Sequence, residues 1–529
     1  MRKIFIFIFF SITALLSTSG AQNLPVLTPH QKVSQALKII DAFYIDTVDD
    51  EKLAEEAIVA MLKTLDPHSL YSDPRETEEL TTPLDGNFSG IGIQFQMLND
   101  TLYVIQPTAG GPSEKAGMLA GDRIIRADST QISGAKLSNA DIMKVLRGPK
   151  GTIVNVEVLR KGVAEPIEFV IERDDIPVNS VDAAYMADNQ TGYIRLTRFS
   201  ATSQEEMLEA LAKLKAQGMK RLILDLEDNG GGYLGAAVDI AGNFMNKGDL
   251  VTYTESPRSG QITPFVLPSS GRYSKLPLVV MVNQYSASAA EILSGALQDH
   301  DRAAIVGRRT FGKGLVQRPF PFPDGSMIRL TISRYHTPSG RSIQKPYNAG
   351  QSDEYRMDIM HRLESGELTG ADMVELPDSL KFSTLKRHRP VYGGGGIMPD
   401  RFVAIDTTLF TPYYRDLVAK SIINKTALHV ADTQADQLKS LYPTEQSFID
   451  NYEVNQELIK YVVDEGEKAG VEPNDEQLNQ SLPMLKTILK GLIGRDLFEM
   501  NTYYRIVQPE LNPVYRAALE SFDILSAQK

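Results

Sequence analysis

The sequence predicts a multidomain α/β protein: an α/β core, a smaller β-rich domain ahead of it, and helical regions at both ends. Three observations predict this. Between Thr191 and about Ser342, strand-like runs alternate with helical ones, the pattern of a sheet covered by helices. Between Gly86 and Arg173 the apolar period drops to two, with Ile91, Ile93 and Phe95 alternating with Gly92 and Gln94. Near residues 31–65, and again beyond about Thr411, apolar residues recur at helical spacing. A chain of 529 residues has room for several domains. The expected boundaries are 1–21 for a signal peptide, 22–82 for a helical N-terminal region and 83–175 for the β-rich domain. The core follows at 176–410 with an insertion at about 346–395, and a helical C-terminal extension occupies 411–529.

The elements are justified in order. Arg2 and Lys3 precede the apolar run from Ile4 to Leu16, and Ser19-Gly20-Ala21 supplies small residues for cleavage, the signature of a secretory signal. The alternative is an uncleaved anchor, for which the run is short. Export is therefore expected, with the mature chain periplasmic and soluble or peripherally associated with the membrane. Val33, Leu37, Ile40 and Phe43 mark a first helix, and Leu53, Ala57, Ala60 and Leu62 a second. The turn Leu65-Asp66-Pro67-His68 ends that pair, because a residue before proline disfavours helix. In the core, Tyr193–Leu196, Leu222–Leu226, Leu278–Val282 and Ala304–Val306 read as strands. Glu205–Ala216 and Ala236–Met245 read as helices. The stretch 346–395 is polar and irregular, ending in Gly393–Gly396, and reads as partly loop.

Composition excludes several classes. The formal net charge of −12 leaves no basic footprint for nucleic acid. The chain has no cysteine, which removes disulfides, thiolate metal sites and a cysteine nucleophile. No His-Glu-x-x-His pattern occurs, and no metal or organic cofactor is implied.

The chemistry concentrates at Val282-Asn283-Gln284-Tyr285-Ser286-Ala287-Ser288-Ala289-Ala290-Glu291. A buried strand runs through small residues into a helix, so a serine here stands at a helix N-terminus. Free N–H groups and the helix dipole can stabilise an oxyanion there. The plain alternative is that Ser286 or Ser288 is only an N-cap. A serine nucleophile needs a base. Of seven histidines none sits in a catalytic motif; His300 is nearest in sequence and reads as a surface residue of the turn Asp299-His300-Asp301.

Lys313, between Gly312 and Gly314, is the other base. It must be neutral, and burial lowers a lysine pKa. Gln317, four residues on, is close enough to share a face, and its amide oxygen can orient the amine without adding charge. Asn229-Gly230-Gly231-Gly232 follows a strong strand and suits an oxyanion donor; alone it is equally a plain turn. Two other patterns fail. Gly307 to Lys313 has phosphate-loop spacing, but Gly314 stands where Ser or Thr would hold magnesium. Gly230, Gly232 and Gly235 fit a dinucleotide fingerprint without its acidic residue.

Together these segments resemble the C-terminal processing (tail-specific) peptidases, serine proteases with a PDZ domain. Ser286-Ala287-Ser288-Ala289-Ala290-Glu291, Asp299, Val306-Gly307, Thr310-Phe311-Gly312-Lys313-Gly314, Val316-Gln317 and Gly396-Ile397-Met398-Pro399-Asp400 follow that family's order and spacing. Ala290 departs from the family's usual serine and touches a neighbour, not the nucleophile. The resemblance implies a crotonase-like α/β protease core with Ser288 as nucleophile, Ser286 as fallback, Lys313 as base and Gln317 as its orienting group. Ala289 and Gly232 become the oxyanion donors. Residues 86–173 resemble the PDZ domain, with Gly90, Ile91, Gly92 and Ile93 in its carboxylate-binding loop.

The implied activity is serine endopeptidase cleavage near protein C-termini through an acyl-enzyme, with the PDZ domain selecting or gating tails. The implied partners are protein substrates with apolar tails, and an adaptor protein or a second copy at the C-terminal helices. Two rivals are a PDZ scaffold with a dead core and a crotonase-like acyl-transfer enzyme acting on thioesters.

Overall fold

A computed structural model describes residues 27–98, 100–108, 110–370 and 377–527. The expected signal peptide lies outside the described residues. The chain divides into two compact units at Thr64/Leu65. In the first, helices Pro29–Phe43 and Asp50–Lys63 begin at side-chain caps: Thr28 accepts from the Gln31 N–H, and Asp49 from that of Lys52.

In the second unit the β-rich domain is a six-stranded antiparallel sheet. Its core is Leu102, Val104, Ile124, Ile142, Val154, Val156 and Ile171, the alternate inward positions of its strands and the inner face of helix Asn139–Leu146. Entry and exit are paired: Asn87–Gly90 runs antiparallel to Asp174–Pro177, with Asn87 opposite Pro177 and Gly90 opposite Asp174. A two-stranded ribbon therefore joins this domain to the core.

The core sheet has six strands in the order Val181–Met186, Thr191–Leu196, Arg221–Asp225, Leu278–Val282, Ala304–Gly307, Arg401–Phe402. Only the first pair is antiparallel. Leu278–Val282 is buried at all five positions, as a central strand covered on both faces must be. Helices Ser203–Ala216, Leu234–Gly242 and Ala289–Asp299 cover one face. A second, five-stranded sheet carries Leu315–Pro321 against the long strand Met327–His336, which also pairs with Leu70–Ser72.

Two regions differ from the expectation. The insertion contains a 13-residue helix, Ser352–Glu364, and a ribbon of Lys381–Ser383 with Pro390–Tyr392. Only Tyr355 and Arg362 of that helix are buried, so it has no apolar stripe to read. Polar ties fix it instead: Arg362 and Arg309 share Glu367, and Lys345 pairs with Asp358.

The C-terminal extension has its own core around Leu417, Phe448, Val462, Leu485 and Ile493. It also packs on the α/β core. Its helix Pro513–Leu519 covers the other face of the six-stranded sheet, where Val514, Tyr515 and Ala518 pack with Tyr193, Ile223, Val279 and Met281. Tyr515 meets the Tyr193 ring edge-on at 5.5 Å. Tyr515→Ala is expected to cost roughly 3–5 kcal/mol, read as a lowered urea midpoint. An unchanged midpoint would detach the extension from the core.

Candidate active site

Strand Leu278–Val282 ends in a loop built on side-chain amides. Asn283 accepts from the N–H groups of Tyr285 and Asp228 and donates to the Asp228 carboxylate at 2.8 Å. The Ser286 hydroxyl accepts from the Asn283 N–H and donates to the Leu226 carbonyl at 2.7 Å, fully buried. Ser286 thus ties this loop to the glycine loop and spends its hydroxyl doing so. Ser288, two residues on, has φ 56° and ψ −114°. A side chain at positive φ costs of order 1–3 kcal/mol, which the buried surroundings hold in place. Helix Ala289–Asp299 begins at once, every residue buried.

The glycine loop is pinned by Asn229. Its side chain donates to the Leu196 carbonyl and accepts from the Gly231 N–H, both at 2.8 Å, and its carbonyl accepts from the Ala287 N–H. Gly231 is therefore spent as a donor. It must be glycine: at φ +100° a Cβ would stand 2.8 Å from Ser288 Cβ and 2.9 Å from the Ala287 carbonyl oxygen. Around Gly232, Phe199 donates to the Gly231 carbonyl and accepts from the Tyr233 N–H. The N–H groups of Gly232 and Ala289 have no protein partner among the described residues, and both residues line one cavity of about 440 Å³ with Ser288.

Lys313 and Gln317 line the same cavity. Burial pushes the Lys313 ammonium down to about 8, helped by Arg329 and opposed by Glu291 and Asp66. Burial outweighs the pull of both carboxylates. Glu291, fully buried, accepts on Oε2 from the N–H groups of Ser288 and Lys313, each at 2.9 Å. Its Oε1 accepts from the Gly312 N–H at 2.7 Å and the Thr310 hydroxyl at 2.5 Å. Burial raises this carboxyl to about 7 against the pull of those four donors. The Tyr335 hydroxyl adds a second tie, 2.5 Å from the Lys313 carbonyl oxygen and 3.2 Å from that of Ser288.

Gln317 reaches the cavity from a strand, not from a helical face shared with Lys313. The register of Leu315–Pro321 slips between Val316 and Gln317. Its Nε2 donates to Thr331 Oγ1 at 3.2 Å, Thr331 donates to Asp66 at 3.0 Å, and Asp66 also takes the Ser69 hydroxyl. His68 bonds the Tyr355 hydroxyl at 3.0 Å, and burial with the nearby Lys313 lowers it to about 3, so it is neutral.

His300 is buried, not a surface residue, and its Nε2 meets the Leu250 carbonyl. It does not line the cavity. Leu234, Ile292, Leu315, Val316 and Met327 give the cavity its apolar wall. Among the described residues no cluster could hold a metal ion, and no helix is long and apolar enough to cross a membrane.

The loop Gly90–Ile93 lies at the start of the edge strand Ile93–Leu98. Its carbonyls are fixed from behind: that of Ile91 by the Ser113 N–H and hydroxyl, that of Gly92 by the Thr108 N–H. An open strand edge beside a fixed glycine turn can take an added peptide strand.

Glu291, Tyr335, Asn229, Asp66 and Thr331 were not assigned from sequence. Glu291 had a readable signal, since it stands three residues after Ser288, the spacing of a capping box. Tyr335 and Thr331, the tie of Asn229 to Leu196 and that of Asp66 to Thr331 act across long sequence separations and leave none.

Residues 190–350 match Peptidase family S41 and residues 89–171 match the PDZ domain. Residues 13–77 match the activating protease CtpB N-terminal domain, and 413–499 match a family of unknown function. The chain is 37% identical over 357 residues to the carboxy-terminal-processing protease of Bartonella bacilliformis, covering 65% of this chain and 80% of that one. It is 40% identical over 296 residues to the carboxyl-terminal-processing protease of Synechocystis sp., covering 55% and 68%. Among solved structures it is similar to a photosystem II D1 C-terminal processing protease, at 29% identity, 60% and 91% coverage and a TM-score of 0.35.

A buried lysine lowered from 10.5 to about 8 carries a stability cost. The unfolded chain binds its proton more tightly, so stability rises with pH between about 8 and 10.5. Lys313→Met is expected to stabilise the fold by about 3 kcal/mol at pH 7. That gain should shrink to about 0.4 kcal/mol at pH 10.5, as read from urea unfolding of both proteins at each pH.

Proposed function

We infer that this chain, which belongs to peptidase family S41 and is a carboxy-terminal processing protease with a PDZ domain, hydrolyses peptide bonds through an acyl-enzyme on Ser288. The observation that carries this reading is the buried Glu291 carboxylate, which binds the N–H groups of Ser288 and Lys313 with one oxygen. Neutral Lys313 takes the Ser288 proton as Oγ attacks the scissile carbonyl. The N–H groups of Ala289 and Gly232 receive the oxyanion. Lys313 then returns the proton to the leaving amine, and water completes hydrolysis with Lys313 as base again. Gln317, its amide nitrogen engaged by Thr331, offers its oxygen to the Lys313 amine and fixes its direction.

The loop Gly90–Ile93 captures the substrate tail, whose terminal carboxylate meets free N–H groups while the peptide adds to the edge strand. The domain on its two-stranded ribbon selects or gates tails for Ser288. The apolar wall beside Ser288 supports a preference for apolar residues at the cut. The expected workplace is the periplasm, with an adaptor or a second copy meeting the C-terminal helices.

The test is cleavage of an unfolded protein bearing an apolar tail, by the unaltered chain and by Ser288→Ala and Lys313→Ala. Ser288→Ala should abolish cleavage, and Lys313→Ala should lower it by roughly 10²–10⁴-fold. In the unaltered chain kcat/KM should rise with pH and level off above about 8, as Lys313 loses its proton. Cleavage that survives Ser288→Ala would reject the assignment.

A further inference from the structure

The cavity around Ser288 carries two guanidinium groups and the Lys313 amine, and no carboxylate. Lys313, Arg198 and Arg329 line it, and no Asp or Glu does. In a chain of net charge −12 this is a local inversion. Elsewhere the arginines that leave the surface have partners: Arg195 meets Asp225 at 2.7 Å, Arg341 meets Asp299 at 2.7 Å and Arg309 meets Glu367 at 2.5 Å, while Arg173 and Arg302 donate to backbone carbonyls.

Arg329 is different. It stands half-buried on strand Met327–His336, between Leu70 and Pro319 of the flanking strands. Among the described residues its side chain makes no ion pair or hydrogen bond, and its Nε is sealed from water without a partner. Arg198 makes no side-chain hydrogen bond or ion pair among the described residues, though its charge acts on Asp182, and it directly precedes Phe199, which braces the glycine loop. The carboxylates beside the base are already taken. Asp66 accepts from His68, Ser69 and Thr331, and Glu291 from four donors. A guanidinium withdrawn from water without an anion is unfavourable, so the fold holds one half of an ion pair at the place where substrate must lie.

We propose that Arg329, assisted by Arg198, receives a carboxylate of the substrate inside the catalytic cavity. The proposal rests on the reading of Ser288 as nucleophile. A guanidinium offers two parallel N–H donors that match a carboxylate. A cavity of about 440 Å³ takes a few residues of chain, not a folded domain. The anion is therefore the α-carboxylate of a chain end lying a few residues past the cut, or an Asp or Glu side chain at that point. Selection of tails then has two stages, one in the PDZ loop and one beside the nucleophile.

The experiment measures binding of fluorescent short peptides to Ser288→Ala by anisotropy, in three forms. One has a free C-terminus, one is its amide, and one is the amide carrying Glu in place of Gln next to the end. The free acid should bind about tenfold more tightly than the amide, the size of one charge-assisted hydrogen bond. The ratio should fall with Arg329→Met added, to what the PDZ loop alone supplies, and take an intermediate value with Arg329→Lys, which keeps the charge and loses the paired donors. Rescue of the amide by Glu assigns the site to side-chain carboxylates as well; failure of that rescue assigns it to chain ends. Equal binding of acid and amide in the parent would overturn the proposal. So would a preference left undiminished by Arg329→Met combined with Arg198→Met, because the PDZ loop alone would then read the carboxylate. Turnover of the same peptides by the unaltered chain reports separately on Ser288: intact acid preference without cleavage rejects the protease reading and leaves the receptor.

Discussion

Glu291 stands three residues into the helix that Ser288 begins, and its two oxygens accept from Ser288, Lys313, Gly312 and Thr310. The loop that carries the nucleophile and the loop that carries the base are thereby fixed to one buried group. Neither loop has regular secondary structure at the site. Ser288 is held at positive φ, a conformation that would relax if released, and the lysine loop turns at Gly312, φ +88°. A carboxylate is well suited to this task, since it accepts several hydrogen bonds and donates none when ionised. Its charge also opposes the lowering of Lys313, so the lysine needs the burial and the neighbouring Arg329 to lose its proton near pH 8.

Around this clamp the fold works as a set of braces. Asn229 and Ser286 tie the glycine loop to the nucleophile loop, and Tyr335 spans the carbonyls of Ser288 and Lys313. Gln344 accepts from the Gly314 N–H, and its amide reaches the Tyr355 hydroxyl, so the helix of the insertion bears on the lysine loop. The C-terminal extension acts from the other side. Asn512 donates to Glu227, three residues before Gly230, and Tyr515 packs on the sheet whose strand ends carry both loops. The site is thus supported by segments separated by hundreds of residues.

The alternation of strands and helices, the buried run Leu278–Val282 and the motifs around Ser288 and Lys313 made the α/β core and the family legible, because each is a local pattern. The period-two run from Ile91 made a β-rich domain legible for the same reason, and its PDZ character came from the resemblance of residues 86–173. The helix Ser352–Glu364 was not legible, since it is held by ion pairs rather than by an apolar face. Nor was the packing of Tyr515 on Tyr193, which depends on how the chain returns after its helical excursion. Asp66 read as the end of a helix pair and proves to hold Thr331, which holds Gln317. Arg329 carries no local sequence signal; only its surroundings reveal that it lacks an anion.

The most direct measurement is the rate at which a fluorophosphonate labels Ser288 across pH 6–10, in the unaltered chain and in Glu291→Gln with its fold verified by circular dichroism. If Glu291 aligns nucleophile and base, labelling rises with a midpoint near pH 8 in the unaltered chain. It then falls by roughly 100-fold or more in the variant, the scale of a misplaced catalytic group. Labelling of Glu291→Gln at the unaltered rate, or of a residue other than Ser288, would contradict the account.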